Sequence, residues 1–455
     1  MCGNRKFSVG GMRGRRDARP AGRRIRNTRM NIIDSFAQYL SKEVEKNPEA
    51  ARRLLFFGWR SYLTYMKLRP DRKLPPSRRY LERTVMGEVL DAFSDPGHSC
   101  MCSLFVPGEP LAAAGIHPYS VEALSAFLAG THVENVFTNV TGDKGVPETM
   151  CSFHRVFLGA AESDLMPRPP FLIYTNLACD GNMITFPYLK QRFQVPAFFI
   201  DVPWERSLES VDYVADELRR MTAFLSEQTG KTITGEMLRE AVSRSNRASS
   251  SYEKCLDLMR SRQIRTGMTA EMYGIFVSRI LSGSKISERY ARLLLRDLTA
   301  AGPMHAVKLV WIHVMPFMQP SLRALLNDSD SVCTVASDIV SDGFRVVDSG
   351  DPYRGMAERM VYSAFNGSTT ARADYALSLA KRTGADGAVI FSHWGCKTTI
   401  GASGLIKEAL ETEHIPALIL DGDACCPGNT ADGQIRTRMQ AFLEMLEERK
   451  GAEKA

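Results

Sequence analysis

"GAVIFSHWGC" (387–396) runs from an unbroken apolar stretch into a cysteine, and "KTTIGASGLIKEAL" (397–410) follows with the composition of a helix. A strand that ends at a cysteine and hands over to a helix is the building unit of a parallel α/β sheet. The same alternation recurs along the chain. Short apolar or β-rich runs stand at 100–107, 133–140, 170–179 and 195–203, bounded by Gly, Pro, Asp or Asn and separated by helical stretches such as "SVEALSAFLAG" (120–130). It resumes with strands expected at 306–314, 331–336, 387–392 and 416–421, and helices at 353–366, 369–383, 398–413 and 431–447. Between the two blocks, helical patterns run over 207–230, ending at Gly230, then over 232–261 with Thr234 at its start, and near 269–281 and 285–300. The expected fold class is α/β: two Rossmann-like parallel-sheet domains plus a helical domain. The expected segments are a disordered basic extension over 1–30, an N-terminal helical region over 31–95, a first α/β domain over 96–206, a helical domain over 207–301, and a second α/β domain over 302–455. No internal sequence repeat accompanies this repeated architecture.

The totals exclude several classes. A chain of 455 residues exceeds one typical core. Its 44% hydrophobic and 24% charged residues are ordinary for a globular protein. The longest apolar stretch, "HAVKLVWIHVMPFM" (305–318), is broken by Lys308 and reads as a core strand, so no membrane span is expected. The net charge of +7 is local: residues 1–30 carry +9, leaving −2 on the remainder. That tail reads as a disordered extension, or as residues upstream of a natural start at Met30, rather than as a nucleic-acid arm. It has no apolar core of a secretory signal, which points to a cytoplasmic, reducing location where the ten cysteines stay free.

Familiar signatures fail. "TGKT" (229–232) follows a helix and has Leu225 where a phosphate loop needs glycine. "GASGL" (401–405) lacks the spacing of a nucleophile elbow, and there is no HExxH, CxxC or GxGxxG. What is left is position. Cys179 ends "PFLIYTNLAC", Cys396 ends "GAVIFSHWGC", and Cys425 and Cys426 lie just beyond "PALILDGD". Ligands of open α/β sheets bind outside the carboxyl ends of the strands. Cys151 opens an expected helix, where a thiolate is stabilised. Thiolates without a His/Glu cluster select iron–sulfur groups, but spacing alone favours three packed thiols.

The segments "VPETMCSFHRVFLG", "NLACDGN", "FIDVPWERSLESVDYVADELRRM", "TGKTITGEMLREAV", "SHWGCK" and "DGDACCPGNTADGQIRTRMQAFLEML" resemble, in order over about 100–450, the D-component of 2-hydroxyacyl-CoA dehydratases. The wider family includes benzoyl-CoA reductase subunits and double-cubane cluster proteins. The resemblance implies a [4Fe–4S] cluster held between the two α/β domains by Cys151, Cys179 and Cys396, with one iron open. It implies an ATP-dependent iron–sulfur activator that supplies one electron, an acyl-CoA substrate, and loss of water through a ketyl radical to give an enoyl-CoA. It also implies a dimer, with a homologous subunit or with itself. The adjacent Cys425 and Cys426, with Cys333, leave open an [8Fe–9S] double-cubane cluster and an ATP-dependent reductase of small molecules. A non-catalytic α/β scaffold subunit is the third alternative. His154 and His393, each three residues from a cysteine, are candidates for acid/base work or for hydrogen bonds to cluster sulfur. Trp394 is a candidate shield or a core residue. Arg438 and Arg436 are candidates for CoA phosphates, and Asp421 with Asp423 reads as a turn rather than a metal pair.

Overall fold

In the computed structural model, which describes residues 23–452 with side chains from residue 34 onward, two parallel four-stranded sheets carry Cys179, Cys396, Cys425 and Cys426 beyond the carboxyl ends of their strands. The first contains β1 (Ser99–Cys102), β2 (His117–Ser120), β3 (Leu172–Thr175) and β4 (Ala197–Ile200), in the order β2-β1-β3-β4. A two-residue antiparallel pairing joins β5 (Arg262–Gln263) to β6 (Gly302–Pro303). The second sheet contains β7 (Val307–Ile312), β8 (Val332–Ser337), β9 (Gly387–His393) and β10 (Ala417–Gly422), in the order β10-β9-β7-β8. Counted along the chain, both sheets have the strand order 2-1-3-4. In that order the direction of winding reverses between the first and third strands, and the crevice there is the usual ligand site. Here it falls between β1 and β3, and between β7 and β9.

β9 is buried at all seven residues, as an interior strand covered on both faces must be. Trp311 on β7 stacks near Phe391 on β9 and is fully buried. The four long helices between the sheets, Leu208–Thr229, Gly235–Met259, Met268–Ser278 and Lys285–Thr299, begin and end as the capping residues dictate. Gly230 closes the first in the left-handed region (φ 65°), and the Thr234 hydroxyl accepts the Met237 amide at the start of the second. Three further helices, Arg23–Lys46, Pro48–Leu68 and Pro76–Ser94, precede the first sheet. The basic extension expected over 1–30 lies outside the described residues as far as 22, and the first helix begins at Arg23. Among the described residues no helix is long and apolar enough to cross a membrane.

Two local expectations are corrected. Residues 133–140 form a helix, Glu134–Asp143, not a strand. Its β-branched residues are outweighed by close packing on the helix Ser152–Glu162. Gly159 of that helix permits the approach, since a Cβ there would sit 2.1 Å from the Phe137 carbonyl oxygen. Conversely, "HPYS" is a strand, β2, that composition did not signal. It is an edge strand, where Pro118 leaves no ladder bond unmade.

Glu82, on the third helix, has its carboxyl pushed up to about 7 by burial, with Asp71 adding to the shift. Between its ordinary value of 4.5 and about 7 the folded chain keeps a proton that the unfolded chain releases. Stability should therefore fall as pH rises through that window, by at most about 3 kcal/mol. In Glu82→Gln, denaturant titrations at several pH values should show this slope flattened.

Candidate metal centre

Three cysteines arrive at one place from both sheets. Cys151 caps the helix Ser152–Glu162, Cys179 lies between β3 and the helix Asn182–Phe193, and Cys396 caps the helix Lys397–Thr412 after β9. All three are half-buried free thiols, and none of the nine described cysteines is in a disulfide. Backbone N–H groups of Phe153 and His154 face the Cys151 sulfur, and those of Gly181 and Asn182 face Cys179. Each thiol thus sits where helix-start amides stabilise negative charge. Burial nevertheless pushes the Cys151 and Cys179 thiols up, and each is raised further by neighbouring cysteines or Glu122. Such thiols ionise when a cation compensates them.

Histidines bracket two of the sulfurs. His393 Nε2 lies 3.3 Å from Cys151 Sγ, while its Nδ1 accepts the Ala424 amide at 3.1 Å. The second contact fixes the tautomer: Nε2 carries the proton and donates to sulfur. Burial lowers the His393 pKa, so this is a neutral imidazole. His154 Nε2 lies 3.2 Å from Cys179 Sγ and its Nδ1 2.7 Å from Thr185 Oγ1. Burial, with His393 nearby, lowers its pKa to about 4.

Close packing at the site depends on glycine at two points, one between the two units and one within the first. Gly395 has φ 80°, and a Cβ on it would lie 2.5 Å from the Cys151 amide nitrogen. Gly181 presses against His154, whose Nε2 would be 2.7 Å from an added Cβ. Thr398 Oγ1 also donates to the Ala178 carbonyl at 3.3 Å, linking the helix after Cys396 to the residue before Cys179.

Asp423 pins the next strand end onto this site. Its Oδ1 accepts the Ser152 hydroxyl at 2.5 Å and the amides of Cys425 and Cys426 at 2.9 and 2.8 Å, and its Oδ2 accepts from Asn429 at 2.9 Å. Asp423→Ala leaves these donors unmet in a buried loop and should lower stability by about 3 kcal/mol, with Asp423→Asn milder; thermal melts check both. Cys425 and Cys426 are fully buried, and Cys425 Sγ turns to the Ser125 carbonyl at 3.8 Å. The structure does not bring Cys333 to this pair: its sulfur faces the Ile264 carbonyl, with Glu271 and Arg78 nearby. Asp421 is apart from Asp423 and pairs with Arg438 at 3.6 Å. Arg438 also donates to the Ile419 carbonyl, and its contacts are with the edge strand β10, not with the thiols. Arg436 is exposed beside Asp432. Trp394 is 46% exposed, which excludes core packing.

Two residues of the site carry little sequence signal. Glu122 lies with His154 and Cys179, their ligand atoms all within 4.8 Å of one another. It is an acid in the otherwise apolar "SVEALSAFL", and burial pushes its carboxyl up to about 7. His313 follows β7 with φ 76°, and its ring centroid is 6.4 Å from that of His393.

The three thiols fit a polynuclear iron–sulfur group better than a single zinc ion. Four-coordinate zinc needs sulfurs roughly 3.8 Å apart. Among the described residues the three cysteines are not gathered within 4.8 Å of one another, as Glu122, His154 and Cys179 are. Helix-start amides and histidine N–H groups directed at sulfur are how proteins hold and tune such clusters.

Two Rossmann-like sheets that converge on cysteines set the class of α/β protein, and the sequence specifies the family. Residues 103–446 match the family described as 2-hydroxyglutaryl-CoA dehydratase, D-component, and the chain belongs to that family. Among curated relatives it is similar to the (R)-phenyllactyl-CoA dehydratase alpha subunit of Clostridium sporogenes, at 21% identity over 68% of this chain and 80% of the relative. It is likewise similar to the lactoyl-CoA dehydratase subunit alpha of Anaerotignum propionicum, at 20% identity over 76% of this chain and 90% of the relative.

Proposed function

We propose that the chain is the iron–sulfur subunit of a 2-hydroxyacyl-CoA dehydratase, holding a [4Fe–4S] cluster through Cys151, Cys179 and Cys396. The observation that carries this reading is the convergence of three helix-opening thiols from both sheets, two of them hydrogen-bonded by buried neutral histidines. When bound, the cluster supplies one-electron transfer and an iron open to a substrate oxygen. The chain's own residues do the rest. His393 holds its Nε2 proton toward Cys151, and His154 orients its ring on Thr185 to face Cys179. Asp423 and Gly395 fix the second unit against the first. Burial keeps both imidazoles neutral and raises the Glu122 carboxyl to about 7.

The reaction is loss of water from a 2-hydroxyacyl-CoA through a ketyl radical. The electron comes from an ATP-dependent iron–sulfur activator, and a homologous subunit completes the enzyme. The names of the two relatives support an alpha subunit with a partner. The test is anaerobic purification with iron, sulfide and electron paramagnetic resonance analysis, then turnover of (R)-phenyllactyl-CoA and lactoyl-CoA with an activator. One cubane per chain and enoyl-CoA formation are expected; a chain without iron overturns the reading.

A further inference from the structure

His313 is the histidine at this site that no protein group explains. It is the residue immediately after β7, the first strand of the second sheet, and His393 ends β9, the third. The two rings therefore stand on either side of the switch point of that sheet, 6.4 Å apart and tilted by 35°. Both ring nitrogens of His313 are buried, and neither has a hydrogen-bond partner among the described residues. A buried polar ring with two unmet nitrogens is rare enough to call for a cause.

The backbone adds a second observation. His313 has φ 76°, in the left-handed region that a residue with a Cβ seldom occupies. The conformation is imposed by a chain of bonds that ends on a cysteine. Asp338 Oδ1 accepts the His313 amide at 2.7 Å, and Asp338 Oδ2 accepts Arg372 at 2.9 Å. Arg372 in turn donates to Thr399 Oγ1 at 3.0 Å, and the Cys396 thiol donates to that same oxygen at 3.5 Å. Trp311 Nε1 donates to the Val314 carbonyl at 3.2 Å and pins the turn from the other side. The fold thus strains one residue in order to turn an imidazole toward the site, then gives that imidazole nothing to hold.

We propose that His313 is a specificity-determining residue whose ring hydrogen-bonds the 2-hydroxyl of the acyl group. A neutral imidazole offers one N–H and one lone pair, and a hydroxyl is the substrate group that is both acceptor and donor. Burial, with Arg372 and His393 nearby, holds the His313 pKa well below its ordinary value, so the ring stays neutral. A site built to bond a hydroxyl rejects the analogue that lacks it, because its own polar atoms are then left unmet. This inference rests on the dehydratase reading and adds the group that reads the substrate.

The test is anaerobic calorimetry on the iron-loaded protein without activator, so that no turnover occurs. The ligands are (R)-phenyllactyl-CoA and lactoyl-CoA, with 3-phenylpropanoyl-CoA and propanoyl-CoA as their analogues lacking the 2-hydroxyl. The wild-type protein should bind each hydroxy compound about tenfold more tightly than its analogue. His313→Leu should lose that ratio while keeping its iron and its melting temperature, because it removes no protein hydrogen bond. His313→Gln, which retains a donor and an acceptor, should keep part of the ratio and reports if the leucine variant fails to fold. An unchanged ratio in a folded variant, or a wild-type ratio near one, overturns the role of His313 while the dehydratase reading stands. A wild-type protein that binds none of the four compounds overturns both.

Discussion

Cys396→Ala, purified without oxygen, is expected to carry only a trace of the iron of the wild-type protein and to form no enoyl-CoA. The same is expected of Cys151→Ala and Cys179→Ala. Glu122, His154 and His393 also surround the thiols, but carboxylate and imidazole replace thiolate poorly on an iron–sulfur cluster. Cys425, a buried alternative, points at the Ser125 carbonyl. Loss of fold is not the expected cause. The Cys396 side chain makes no capping bond to its helix, and its one hydrogen bond, to Thr399, is long at 3.5 Å. Two other cysteines provide the contrast. Cys255 and Cys333 are buried far from the thiol site, against Arg78. Alanine at either should lower stability by about 1–2 kcal/mol through lost packing and leave iron content unchanged. Iron retained in Cys396→Ala would remove that residue from the ligand set.

The second large effect is structural. Glu109 is fully buried at the start of the helix Gly108–Ala114, just after β1, and Arg359 of the helix Pro352–Val361 meets it with two bonds of 2.6 and 2.7 Å. Ser282 adds a third bond, at 2.8 Å, from the turn before the helix Lys285–Thr299. One carboxylate thus ties together the first sheet, the central helices and the second unit. Burial alone would raise its pKa, but the Arg359 charge and hydrogen bonds bring it below the ordinary value. Arg359→Met leaves a buried carboxylate unpaired and should lower stability by about 3–5 kcal/mol, a large part of what holds a protein together. Adding Glu109→Leu should recover most of that loss, because an apolar pair of similar volume replaces the ion pair. Urea melts of the single and double variants measure both. Since the folded pKa of Glu109 is depressed, its contribution is present above the ordinary 4.5 and should fade as pH falls below it.

Much of the architecture was legible because strand–helix alternation is a local pattern. Seven of the eight strands in the two parallel sheets overlap runs such as "PFLIYTNLAC" and "GAVIFSHWGC", whose apolar continuity reports burial on both faces. β2 escaped because an edge strand need not be apolar or rich in β-formers. The helix at 134–143 was misread because Val133, Val136 and Val140 suggest a strand until the close contact at Gly159 is known. The shared strand order of the two sheets was invisible, since pairing is long-range information that no stretch of sequence holds.

The site divides in the same way. Cys151, Cys179, Cys396, His154 and His393 stand at ends of elements, and such ends can be seen in the pattern of residues. Glu122 and His313 are single polar residues beside apolar runs, and what marks them is burial beside the site and, for His313, two ring nitrogens without a partner. That is a property of three-dimensional packing alone. Arg438 looked equally well placed on the last helix, yet its side chain turns to β10 and Asp421 instead.

The three thiols are also ordered in time. Two belong to the first half of the chain and the third to residue 396, so a ribosome finishes the first sheet long before Cys396 leaves its exit tunnel. β10 and the Asp423 loop, which clamp Ser152, are made later still. Until residue 395 is made, the Cys151 backbone has no Gly395 to lie against it. A group held by all three thiols can therefore be fully ligated only once the chain is nearly complete. A delivery factor working on the nascent chain would meet two ligands, and one working on the released chain would meet three.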